Sequence, residues 1–184
     1  MRIVVSGTHA SGKSTLVADF CAAHPDFAVL PDPFELVDAA ADEPDSATYF
    51  GQLRSSAARL LELAPGTRVI AERGPLDFLA YLDALDALRR PTRVPGLFRR
   101  GVPLTSEAMT RVDLLVLLPL TSGAAIIVPD EEDPELREAT NDALLELADD
   151  PDLVGDTAVI EITGDRATRL ALLEDAIAGL PRHS

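Results

Sequence analysis

Two textures of apolar residues alternate along the chain. Short continuous runs occur in MRIVVSG (1–7), DFAVLPDP (26–33), PGTRVIAERG (65–74), RVDLLVLLPL (111–120) and TAVIEITG (157–164). Each is bounded by glycine, proline or charge, the pattern of a strand buried on both faces. Between them the apolar positions recur with helical spacing. The pattern predicts helices over 13–23, 45–64, 75–90, 133–150 and 165–180. The second carries a stripe of Phe50, Leu53, Ala57, Leu60, Leu61 and Ala64, with Gln52, Arg54 and Arg59 on its other face. The third has Pro75 in its first turn and Arg89 and Arg90 in its last, both favourable placements. The fifth has Asp165 as N-cap and Leu170, Leu173, Ile177 and Leu180 on one face. PTRVPGLFRRGVP (91–103) reads as a Pro/Gly/Arg-rich loop, and 119–134 has the weakest pattern. Alternating strands and helices predict an α/β fold, a parallel sheet with helices on both sides. No repeat or linker divides the chain, so residues 1–184 are expected to form one domain.

Composition narrows the partners. The net charge of −15 repels nucleic acid backbones and anionic membranes, so no nucleic acid and no membrane partner is expected. Cys21 is the only cysteine, the opening residues lack a signal-peptide pattern so none is expected, and no apolar run has the length of a membrane helix. A reducing, cytoplasmic setting fits. Of sixteen cationic residues only Lys13 is lysine. An Arg-rich coding bias accounts for the other cations but not for the exception. A compact ammonium enters a tight phosphate cradle that a planar guanidinium does not.

Lys13 lies in GTHASGKST, that is Gly7, Thr8, His9, Ala10, Ser11, Gly12, Lys13, Ser14 and Thr15. The stretch fits G-x-x-x-x-G-K-[ST] between a first strand and a first helix, the context this phosphate loop requires. Its glycines let backbone N–H groups turn toward a polyphosphate, and the helix N-terminus adds partial positive charge. Lys13 is placed to reach the β- and γ-phosphates of ATP, and Ser14 to ligate Mg2+. His9 occupies an unrestricted position.

Three classes share such a loop. The N-K-x-D guanine motif of common GTPases needs a second lysine, which this chain lacks. Motor and remodelling ATPases usually end a second apolar strand in Asp-Glu, whereas RVDLLVLLPL ends in Pro119 and Leu120. The strand that ends in an acid is RVIAERG, with Glu72 and Arg73. With GTHASGKST and ERGPLDFLAY, the chain resembles the P-loop nucleoside and nucleotide kinases, most of all the nicotinamide riboside kinase-like ATP-binding domains, and more distantly deoxynucleoside and thymidylate kinases. The resemblance covers about the first 120 residues in organisation. It implies a three-layer P-loop fold with a five-stranded parallel sheet of order 2-3-1-4-5. It also implies that Glu72 helps hold Mg2+ and activate the acceptor, while Arg73 contacts phosphate or substrate. Deoxynucleoside kinases carry Glu-Pro after the second strand, the Glu acting on the acceptor hydroxyl. Asp32-Pro33 stands there in this chain, with Glu35 close by.

Each assignment has a plainer counterpart. Glu72 and Arg73 also fit a surface ion pair at a strand end, Asp32 a turn residue between two prolines, and Gln52 a solvated helix face. The family reads its acceptor with a Gln or Arg near Gln52. It also has an arginine-bearing lid, for which this chain offers Arg137 beside the acidic run Asp130–Asp133. Arg99 and Arg100, folded inward from the 91–103 loop, are the other source of lid charge. The expected function is Mg-ATP-dependent phosphoryl transfer to a small hydroxyl-bearing metabolite, a nucleoside or nucleotide. Lys13, Asp32, Glu72, Arg73 and Arg137 are the expected catalytic residues; Asp32, Glu35, Gln52 and Arg73 would bind the acceptor. The alternative is a non-catalytic or weakly hydrolysing nucleotide-binding switch that acts through a protein partner. A homodimer is left open.

Overall fold

The computed structural model describes residues 1–33, 45–92, 94–120 and 133–180. Strands β1 (Arg2–Ser6), β2 (Ala28–Leu30), β3 (Val69–Glu72), β4 (Leu114–Leu117) and β5 (Ala158–Glu161) form one sheet of order β2-β3-β1-β4-β5, parallel at every pairing. In the central register Val5 lies beside Glu72 and Val116, so β1 and β3 end together at one edge.

Successive side chains leave a strand on opposite faces, and the core splits accordingly. Ile3, Val5, Ile70, Leu114 and Val116 face one layer, made by α1 (Lys13–Ala23) and α7 (Arg166–Gly179). Val4, Ala71, Leu115 and Leu117 face the other, made by α2 (Ser46–Leu61), α3 (Pro75–Ala87), α4 (Leu97–Met109), α5 (Pro134–Ala148) and α6 (Pro151–Val154). Helix α3 is buried without interruption from Pro75 to Leu82, being apolar nearly all round and enclosed by α2, α4 and α5.

Several expectations change. Burial on both faces holds for β3 and β4 and nearly so for β1; the edge strands β2 and β5 are half-exposed, and Val29 is outward. The predicted 91–103 loop is largely helix α4. Gly96 starts it in the left-handed region, and Pro103 sits within it on the exposed side. Its packing overrides its poor helix composition: a Cβ on Gly101 would come within 2.9 Å of both Leu53 and Leu79, so glycine permits the approach to α2 and α3. Arg99 and Arg100 therefore stand exposed on a helix rather than folding inward, with Arg100 over the Phe50 ring at 5.0 Å. Arg89 and Arg90 lie beyond the end of α3 rather than in its last turn. Arg90 instead bridges to Asp133 and Glu135 at the start of α5, at 2.6 and 2.9 Å. No helix among the described residues is long and apolar enough to cross a membrane.

Candidate functional site

The loop after β1 closes into a cradle. Gly7 has φ 154°, and a Cβ there would meet Ser11 Oγ at 2.6 Å and the Leu118 carbonyl at 2.9 Å. Gly12, at φ 93°, is the N-cap of α1 and leaves the helix N–H groups without a side-chain cap. Lys13 is buried, and its Nζ donates to the Thr8 carbonyl at 2.7 Å and lies 3.5 Å from Ser11 Oγ. Burial first, then Arg73, lower its pKa from 10.5 to about 8, against the pull of Asp77, Glu72 and Asp32. The Thr8 hydroxyl is buried and has no partner among the described residues. His9 is exposed; its carbonyl accepts from Arg137 Nε at 3.1 Å, which brings Arg137 to the loop.

Glu72 ends β3 directly beside this loop. Its Oε1 accepts from the Ser14 hydroxyl at 2.6 Å. Both residues of the Glu72-Arg73 pair are buried, at 8% and 5% exposure, and neither pairs with the other. The surface ion-pair reading therefore fails. Arg73 has φ 63°, an uncommon conformation for a non-glycine residue, and its N–H donates to the Val5 carbonyl at 3.0 Å. The turn sends its side chain away from Glu72, to lie with Nε 2.9 Å from Asp32 Oδ2. Burial opposes the Arg73 charge, but Tyr81, Asp32 and Asp77 outweigh it and raise its pKa. Its guanidinium carbon is 5.7 Å from the Tyr81 ring, which stacks on Tyr49 with centroids 4.5 Å apart.

Asp32 is thus no simple turn residue: it is 8% exposed and paired. Arg59 of α2 donates to the Pro31 carbonyl at 3.0 Å and steadies the same corner. Gln52 is buried, not on a solvated face. The buried arc of α2 reads Tyr49, Gln52, Leu53, Ser56, Ala57 and Leu60, one position away from the expected stripe. Glu35 and Asp130 lie outside the described residues; Asp133 is the N-cap of α5, accepting from Glu135 and Leu136 N–H groups.

Asp77 is a residue of the candidate site that the motifs do not point to. It is 2% exposed and accepts from Ser6 Oγ (2.5 Å), Gly7 N–H (2.9 Å) and Gly74 N–H (2.8 Å). One carboxylate thereby ties the mouth of the phosphate loop to the turn carrying Arg73. Burial raises its pKa, against the lowering effects of Arg73 and of these three donors. The available signal was an acid at the third helical position of GPLD, where it caps its own helix.

Beside the loop, Gly12, Thr15, Leu16, Asp19, Gly164, Arg166 and Arg169 line a cavity of about 230 Å3. Arg166 grips Asp19 through two nitrogens, which lowers the Asp19 pKa.

Comparison with sequence-family models and with characterised proteins finds no match. Solved structures do match. Deoxyadenosine kinase from M. mycoides with bound dATP superposes with a TM-score of 0.71 at 15% identity, covering 97% of this chain and 100% of that one. The same kinase with products dCMP and dCDP gives 0.72 at 16% identity, over 98% and 100%. Thymidylate kinase from Candida albicans gives 0.68 at 14% identity, over 96% and 90%. The chain has the fold of P-loop nucleoside and nucleotide kinases, with their five-stranded sheet order. The likeness spans the chain nearly end to end, beyond the 120 residues the motifs suggested.

Proposed function

We propose that this chain transfers a phosphoryl group from Mg-ATP to a hydroxyl of a small metabolite, a nucleoside or nucleotide. The observation that carries the reading is the division of labour at the end of β3. Consecutive residues face two half-sites: Glu72 meets Ser14 at the phosphate loop, and Arg73 meets Asp32 on the other side. A transferase needs a donor half and an acceptor half in contact, and these two are joined by one peptide bond.

The donor half fits ATP. The glycine loop, the uncapped helix start, Lys13 and the unpartnered Thr8 hydroxyl form an anion site. It also fits magnesium. Ser14 and Glu72 offer two hard oxygen donors, and no cluster of three or more His, Cys, Asp or Glu side chains occurs among the described residues. One hydroxyl and one carboxylate, completed by phosphate and water oxygens, suit Mg2+. When bound, the ion neutralises charge on the phosphates. The cavity beside Gly12 and Thr15 adjoins the loop and offers space for the nucleoside end of a bound nucleotide.

The acceptor half supplies an acid, Asp32, to take the hydroxyl proton and Arg73 to orient the acceptor or bind its phosphate. Gln52 supplies an amide able to pair with a base edge. Arg137, which donates to the His9 carbonyl of the loop, is the proposed lid-side cation. The solved relatives act on deoxynucleosides and nucleotides by name, which supports the same acceptor class here.

The test is a screen. With ATP and Mg2+, a panel of deoxynucleosides, ribonucleosides, their monophosphates and nicotinamide riboside should reveal acceptor-dependent ADP formation. ADP formed at one rate regardless of acceptor would instead identify a hydrolysing switch, and no ADP at all a binding protein.

A further inference from the structure

Arg169 belongs to α7, far in sequence from the phosphate loop, yet it is only 9% exposed and reaches the loop's backbone. Its Nη1 donates to the Ser11 carbonyl at 2.7 Å. Its Nε donates to the Gly164 carbonyl at 2.9 Å, in the turn between β5 and α7. The guanidinium lies so close to Gly12 that a Cβ there would be 2.8 Å from Nη1.

We propose that Arg169 is a positioning residue of the phosphate loop: it fixes the Ser11–Gly12 peptide so that the Gly12 N–H faces the bound phosphates. The proposal rests on the reading of this loop as a polyphosphate site. The Ser11 carbonyl and the Gly12 N–H belong to one peptide unit. That peptide is trans, so the two groups point in opposite directions. Holding the carbonyl toward α7 aims the N–H away from α7, and that N–H meets no backbone acceptor among the described residues. A charged donor on the carbonyl also polarises the peptide and strengthens its N–H as a donor. Without the clamp, Gly12 could flip this peptide at little cost, because glycine populates both signs of φ. The second contact, to Gly164, fixes the guanidinium itself and links the loop to the far wall of the adjacent cavity. Arg137 makes a parallel contact at the His9 carbonyl, so two helices outside the motif hold two carbonyls of the loop.

A merely structural arginine would change stability and leave phosphate affinity alone. Inorganic tripolyphosphate with Mg2+ is the probe, because it engages the loop without a base or sugar. Wild-type protein should bind it, and Arg169→Ala should bind it about tenfold more weakly or worse, the scale of a charged hydrogen bond. Guanidinium ion at millimolar concentration should restore part of that affinity by refilling the space. If Arg169→Ala fails to fold, Arg169→Lys decides: a single ammonium cannot span both carbonyls, so weakened tripolyphosphate binding with near-normal melting temperature is expected. An unchanged dissociation constant in a variant whose melting temperature falls overturns the proposal. Failure of the wild type to bind tripolyphosphate removes the reading of the loop, and the proposal with it.

Discussion

The proposed phosphate half of the site comes from nine consecutive residues, Gly7 to Thr15, while the proposed acceptor half draws on Asp32, Gln52, Arg73 and Tyr81 from four separate segments. On that reading the first would work mainly through backbone N–H groups, in a loop shaped by glycines and contacted from outside by Arg169 and Arg137. The second works through side chains whose positions depend on packing: Arg73 is held by Asp32 and lies near Tyr81, and Asp32 by a corner that Arg59 supports. The difference teaches where specificity can vary. On the proposed reading a backbone cradle would accept any polyphosphate, and changes of substrate would be made among the dispersed side chains.

The separation can be broken one half at a time. Asp32→Asn should strike the acceptor half alone, lowering kcat on the true acceptor by about 10²–10⁴-fold, the span for loss of a positioned base. ATP-induced thermal stabilisation should persist in that variant. A joint loss of ATP binding would show that the halves are not separable, and an unimpaired rate would return Asp32 to a structural role.

Lys13 tests the other half. Lys13→Ala should remove most of the rise in melting temperature with Mg-ATP and reduce turnover by about 10²–10³-fold, as expected for a charge-stabilising group. Lys13→Arg should do nearly as badly, because the buried pocket at the Thr8 carbonyl suits a compact ammonium. Normal ATP binding by the arginine variant would contradict that steric argument.

The smallest effect is a pH dependence. Burial holds the Lys13 pKa at about 8 in the free protein. Phosphates raise it again, so binding takes up a proton above that pH. ATP affinity should be flat below pH 8 and weaken above it, by up to about tenfold per unit. For folding the sign is opposite: the unfolded chain holds this proton up to 10.5, so the contribution of Lys13 to stability rises between pH 8 and 10.5. Calorimetry in buffers of different ionisation enthalpy reads the proton uptake directly, and its absence at pH 8.5 would refute the assignment.

The same contrast explains what the sequence revealed. The phosphate loop was legible because its chemistry is local, and the strands because β1, β3 and β4 are continuous apolar runs. Asp77 was not, since its three donors come from two turns that only the fold brings together. Gln52 was placed on the wrong face because polar Gln52 and Ser56 belong to the buried arc of α2, displacing the apparent stripe. Helix α4 was hidden by Gly101 and Pro103, residues that argue locally against a helix; only packing against Leu53 and Leu79 gives the glycine its purpose.

Ala10 and Arg73, two of the non-glycine residues held at positive φ, both stand at this site. Such backbone costs roughly 1–2 kcal/mol per residue, against about 5–15 kcal/mol for the stability of a whole domain. In evolutionary terms the pair is a standing load on the scaffold. The turns bearing them are attached to β1 and β3, whose residues are buried almost throughout. A lineage with a weaker central sheet would have less room to keep both, so drift in this core is constrained by the site as well as by the fold.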